Sequence, residues 1–99
     1  MRILLVEDDK TIAIGIEYSL TQEDFSIIPC HDFKSAQQVL AEELNQIDLC
    51  LFDLSLPDGS GYELCKYVKQ HSDIPVIFLT AIDDEVNVVM GLDMGADDY

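Results

Sequence analysis

The sequence contains no tryptophan, and aromatic residues make up only 8% of it. Basic residues are scarce too: five Lys and Arg stand against twenty Asp and Glu, a net charge of −15. So negative a surface repels nucleic acid, because phosphate binding requires clustered Lys and Arg. No apolar run approaches the roughly 20 residues that a membrane-crossing helix needs. The N-terminus passes straight into Arg2-Ile3-Leu4-Leu5-Val6, without the charged, apolar and small-residue regions of a secretory signal in series. The three cysteines, Cys30, Cys50 and Cys65, are odd in number and lack metal-site spacing. They read as buried, reduced thiols of a cytoplasmic protein.

What is present is a globular composition, 48% apolar over 99 residues, enough for one domain and not for two. Apolar runs alternate with amphipathic stretches. Residues 2–6 form a short continuous run that suits a strand buried on both faces. Residues 11–20 follow as a helix, with Ile12, Ile16 and Leu20 at helical spacing together with Ala13. A second strand is expected over 25–29. A second helix over 33–44 has Ala36, Val39, Leu40 and Leu44 on one face and Asp32 as its N-cap.

A third strand is expected over 48–52, and residues 56–61, LPDGSG, have the composition of a turn. Ser60-Gly61-Tyr62-Glu63 carries the capping-box pattern of a helix start, followed by Leu64, Cys65 and Val68. Pro75 precedes a fourth strand over 76–80, and a fourth helix over 83–93 ends at Gly95. This fourfold βα alternation predicts an α/β protein: a parallel sheet covered by helices through right-handed crossovers.

Glu7 and Asp8 follow the first strand, and Asp53 follows the third. Open parallel sheets bind ligands outside the carboxyl ends of their strands, where strand order reverses. If the first and third strands are neighbours there, the three acids converge. Such like charges repel and force one pKa upward. A Mg²⁺ ion relieves the repulsion, since it prefers oxygen ligands, keeps several waters and bridges readily to phosphate. Thr80, closing the fourth strand, adds a hydroxyl. The chemistry that fits is phosphoryl transfer to Asp53, which demands positioning and charge neutralisation more than a strong base. Asp8 would hold the metal, and Glu7 would act directly or through a metal-bound water. A turnover phosphotransferase or nuclease would want a second carboxylate two residues after Asp53, where this chain has Ser55.

Val6-Glu7-Asp8-Asp9, the segment 53–61 (DLSLPDGSG) and the segment 75–81 (PVIFLTA) resemble, in order and spacing, the receiver domains of bacterial response regulators. The ending, 91–99 (GLDMGADDY), is similar to the subfamily in which a winged-helix DNA-binding domain follows the receiver. The resemblance covers the whole chain. It implies a flavodoxin-like doubly wound sheet with strand order 2-1-3-4, and a sensor histidine kinase as phosphoryl donor.

The resemblance also implies site roles. Asp53 is the phosphoryl acceptor, and Glu7 and Asp8 are the acidic pair around Mg²⁺. The backbone carbonyl of Ser55 is a further metal ligand, Thr80 the hydroxyl that shifts toward the phosphoryl group, and Tyr99 the aromatic switch residue. Asp9 is read as a helix-start residue and not as a ligand. The expected function is a signalling module that accepts its own phosphoryl group and is not a turnover enzyme. The alternative is a receiver-like interaction module that does not use phosphate.

The family's lysine, fifth strand and fifth helix would fall after Tyr99, as would the effector domain through which any DNA would be bound. A four-strand chain of this kind leaves its fourth strand as an open edge, a template for pairing. The expectation is self-association through that edge or the fourth helix. Sedimentation faster than a monomer, or marked destabilisation on thermal unfolding, is the expected result, and a monomer with a cooperative melt like that of an intact receiver contradicts it.

Overall fold

Short runs of branched apolar residues form the parallel strands of a four-stranded sheet. These are β1 (Arg2–Val6), β2 (Ser26–Cys30), β3 (Leu49–Asp53) and, after the two-residue β4 (Ser55–Leu56) and β5 (Gly59–Ser60), β6 (Val76–Leu79). The order is β2-β1-β3-β6, every pair parallel. Counting sheet strands, this is the 2-1-3-4 order expected of the doubly wound class. The computed structural model describes residues 1–79. The expected helix over 83–93, its Gly95 cap, Thr80 and Tyr99 lie outside the described residues.

Alternation along the strands sorts the core onto two faces. Leu4, Val6, Cys50, Phe52, Val76 and Phe78 point to one side, where they pack against α2 (Phe33–Glu43) and α3 (Gly61–His71) through Ala36, Leu40, Leu64, Cys65 and Val68. Tyr62 meets Phe78 edge to face at 5.2 Å between ring centres, a favoured aromatic geometry. Ile3, Leu5 and Leu51 point to the other side, against Ala13 of α1 (Lys10–Thr21), with Ile16 and Leu20 packed around them. The helical face read from the sequence included Ile12, but that residue is half exposed. A helix over a twisted sheet presents a narrow stripe, and Ala13, Ile16 and Leu20 fill it.

Element ends follow capping chemistry. Asp9 caps α1, its Oδ1 accepting from the amides of Thr11 and Ile12 at 2.9 and 3.2 Å. Ser60 caps α3 by accepting from Tyr62 N–H at 3.1 Å. Beyond Glu43 the second helix tightens into a 3₁₀ turn, Leu44–Gln46, where the sequence had suggested one helix reaching Leu44. Segment 56–61, expected as a turn, runs from the end of β4 through the hairpin tip and β5 to the first residue of α3, with Ser55 opposite Ser60 and Leu56 opposite Gly59. Pro29 sits on β2, at one margin of the four-stranded sheet, where its missing N–H is tolerated.

The chain's only arginine works at the end of the sheet remote from the acids. Arg2 reaches Gln46 Oε1 at 2.6 Å and Glu43 at 3.2 Å, while its backbone exchanges bonds with Asp48. These contacts tie the start of β1 to the segment leading into β3.

The turn after α1 contains the one strained backbone position among the described non-glycine residues: Asp24 at φ 64°. Asp24 N–H donates to the Thr21 carbonyl and Phe25 N–H to that of Leu20, the pair of bonds that closes a helix through a left-handed residue. Glycine takes that conformation without steric penalty. Asp24→Gly is therefore expected to raise unfolding free energy by ~0.5–1 kcal/mol, and Asp24→Val to lower it by ~1–2 kcal/mol. Urea denaturation reads both.

Candidate metal and phosphoryl-acceptor site

The pairing of β1 with β3 sets Val6 opposite Phe52, so Glu7 and Asp53 leave the sheet at the same end. Glu7 N–H continues the β1–β2 ladder by donating to the Cys30 carbonyl at 3.0 Å. One oxygen each from Glu7, Asp8 and Asp53 can be chosen so that all lie within 4.8 Å of one another. The sequence-expected acids are thus brought together. Leu79, the last residue of β6, pairs with Asp53. Thr80 and Tyr99, the other two expected side chains, lie outside the described residues.

The three carboxylates differ in surroundings. Glu7 is only 5% exposed and is the one buried charged side chain among the described residues. Its Oε1 accepts from Asp9 N–H at 3.1 Å. Burial raises its pKa, the Asp9 amide partly opposes that, and the neighbouring Asp8 charge adds to the rise. Asp53 is half-buried, and desolvation is again the first cause of an elevated pKa, pushed to about 7, with Asp8 and Glu7 adding to it. The Ser55 amide, at a long 3.5 Å from Asp53 Oδ1, pulls the other way. Asp8 is exposed.

A cluster of hard oxygen donors, one of them buried and all of like charge, fits a small divalent cation. Glu7, Asp8 and Asp53 supply the carboxylates, and Ser55, two residues after Asp53, sits on the hairpin beside them. A groove of about 270 Å³ runs between α2 and α3, lined by Phe33, Leu40, Leu64 and Tyr67 among others.

Three contributors escaped the sequence reading. Gly61 had been taken as part of a turn and cap. A Cβ there would run into the Asp53 carbonyl, and its N–H donates to the Leu54 carbonyl at 3.0 Å. The start of α3 can therefore lie directly on the backbone that carries Asp53. His31, a lone histidine in the sequence, places Nδ1 at 3.0 Å from the Glu7 carbonyl. Asp58, read only as a turn residue, accepts from the first amides of α2. The glycine after a capping serine was a usable signal; the two long-range contacts had none.

Known proteins share this fold over the length of the chain. The family model described as response regulator receiver domain matches residues 3–99. The BeF₃-activated N-terminal receiver domain of Klebsiella pneumoniae RstA is 31% identical, at a TM-score of 0.90 over 100% of this chain and 83% of that one. The non-phosphorylated HemR receiver domain of Leptospira biflexa is 33% identical, with a TM-score of 0.87 over 99% of this chain and 78% of that one. DrrB of Thermotoga maritima, an OmpR/PhoB homologue, is 32% identical with a TM-score of 0.83; 99% of this chain covers 43% of it.

The Asp53 pKa lies above its ordinary value of 3.8 in the folded protein. The folded state therefore holds that proton longer than the unfolded one. The stability it contributes is present below pH 3.8 and is lost as pH rises toward about 7. In metal-free buffer at pH 8, Asp53→Asn is expected to raise unfolding free energy by ~1–2 kcal/mol. The gain should vanish at pH 4. Urea titrations at the two pH values check it.

Proposed function

The chain belongs to the response regulator receiver family, and from that premise we propose that Asp53 accepts a phosphoryl group from a sensor histidine kinase with the help of Mg²⁺. The observation that carries this reading is the convergence of Glu7, Asp8 and Asp53 at the carboxyl end of a parallel sheet, with Asp53 alone on β3. Receivers of two-component systems are signalling modules, and a single acceptor carboxylate suits one stoichiometric transfer.

Glu7, Asp8, Asp53 and the Ser55 carbonyl would hold the cation. Bound there, Mg²⁺ would supply the positive charge that keeps Asp53 ionised and offsets the phosphoryl oxygens. An Asp53 oxygen attacks phosphorus, and the bond to the donor's imidazole nitrogen breaks as that nitrogen leaves with the electron pair. Gly61 keeps α3 tight against the acceptor's backbone. Glu7, buried and held by the Asp9 amide, is fixed in place before any ligand arrives.

Thr80 immediately follows Leu79, the register partner of Asp53, and this supports its proposed role as the hydroxyl that meets the phosphoryl group. Tyr99 is proposed as the aromatic that responds to it. The output is proposed to be transcriptional, through a DNA-binding domain of the OmpR/PhoB type after a complete receiver; the match to DrrB favours this. With a net charge of −15, these 99 residues are not themselves proposed to contact DNA. Among the described residues no helix is long and apolar enough to cross a membrane, and a cytoplasmic location is proposed.

The test uses a chain carried through the family lysine and incubated with Mg²⁺ and acetyl phosphate. Intact mass is expected to rise by one phosphoryl group, and Asp53→Ala to abolish the rise. A rise that survives Asp53→Ala refutes the acceptor. Mg²⁺ binding with no rise favours an interaction module that does not use phosphate.

A further inference from the structure

The tip of the β4–β5 hairpin carries a carboxylate that reaches another helix. Asp58 Oδ1 accepts from Phe33 N–H at 2.7 Å, and its Oδ2 accepts from Lys34 N–H at 3.1 Å. These are the first two amides of α2; the third, Ser35 N–H, is already served by the local cap Asp32 at 2.8 Å. Gly59 lies against the Phe33 ring so closely that a Cβ would sit 2.5 Å from its carbons. The start of α2 is fastened to the acids from its other side as well. His31 Nδ1–H donates to the Glu7 carbonyl at 3.0 Å, since a carbonyl can only accept.

These contacts close a ring around the carboxylates. It runs from Glu7 through His31 to α2, across Asp58 to the hairpin, through Ser55 to Asp53, and back through the β3–β1 pairing. The hairpin is its weakest arc. It has two rungs, Ser55 with Ser60 and Leu56 with Gly59, too few for a hairpin to hold its own shape in water. Its place is set from outside: Leu56 is buried in the core, Gly59 lies against Phe33, and the bidentate, charge-assisted Asp58 contact is the hydrogen-bonded link to α2.

We infer that Asp58 is a positioning residue for the acidic site: by fastening the hairpin to α2 it fixes Ser55 beside Asp53, and so sets the affinity for a divalent cation that it does not touch. The inference rests on the cation reading proposed above. Groups that orient metal ligands without binding the metal change affinity by about 10- to 100-fold when removed.

The experiment titrates MgCl₂ into the full chain, following ¹H–¹⁵N amide signals, and measures amide hydrogen exchange without metal. Asp58→Ala is expected to raise the Mg²⁺ dissociation constant about tenfold and to speed exchange at Ser55 and Ser60. Asp32→Ala, which removes the local cap of the same helix, lowers the melting temperature but leaves Mg²⁺ affinity and Ser55 exchange unchanged. Asp58→Asn, which keeps one acceptor, falls between, and carries the test should Asp58→Ala not fold. Unchanged affinity in both Asp58 variants overturns the inference, as does an equal loss in Asp32→Ala. Should the unmodified chain bind no Mg²⁺, the cation reading fails by itself. Positioning is then judged on exchange alone: faster exchange at Ser55 specific to the Asp58 variants sustains it, and equal exchange overturns it.

Discussion

The register of β1 on β3 sets Val6 against Phe52, and the residue after each is an acid. Parallel pairing makes both strands end on the same side, so Glu7 and Asp53 meet although the chain between them includes two helices and a strand. An antiparallel pairing would send the two acids to opposite ends of the sheet, and a slip of one residue would offset them and exchange side chains between the two helix-covered faces. The apolar character of Ile3, Leu4, Leu5, Val6, Cys50, Leu51 and Phe52, buried on both sides of the sheet, enforces that register. Core packing and site assembly are thus one event.

That arrangement works against stability at one end of the molecule. Buried Glu7 and half-buried Asp53 both resist ionisation because they lose water and face each other and Asp8. The fully buried Phe52 and Phe78, with the aliphatic residues around them, offset a repulsion that a protein selected for stability alone would discard. The buried thiols show the contrasting case. Cys50 is pushed up to about 12, mainly by burial, and stays a neutral, inert part of the core.

The strands and the acids at their carboxyl ends were legible in the sequence because both rest on short-range signals, whereas the strand order that brings the acids together came only from the family resemblance. Continuous apolar runs mark doubly covered strands, and acids directly after such runs mark their carboxyl ends. Asp9, Asp32 and Ser60 were legible as caps for the same reason: a cap bonds amides two or three residues away. Ile12 was misjudged because helical spacing says which residues share a face but not how wide a stripe the sheet will cover. Asp58 and His31 were missed because their partners, Phe33 and Glu7, lie 25 and 24 residues away. Nothing in the local pattern of a turn or a lone histidine records a contact across that distance.

The three capped helices carry a further consequence. α1, α2 and α3 each begin where the chain leaves the carboxyl end of a strand, so their first turns gather at the acidic end of the sheet. Aligned peptide dipoles place about half a positive charge at each helix start. A chain with five basic residues among 99 therefore keeps a positive field beside its carboxylates, and keeps it in the main chain. No exchange of side chains removes that field, and it fades within about one helical turn. Asp9, Asp32 and Asp58 already answer part of it at the starts of α1 and α2.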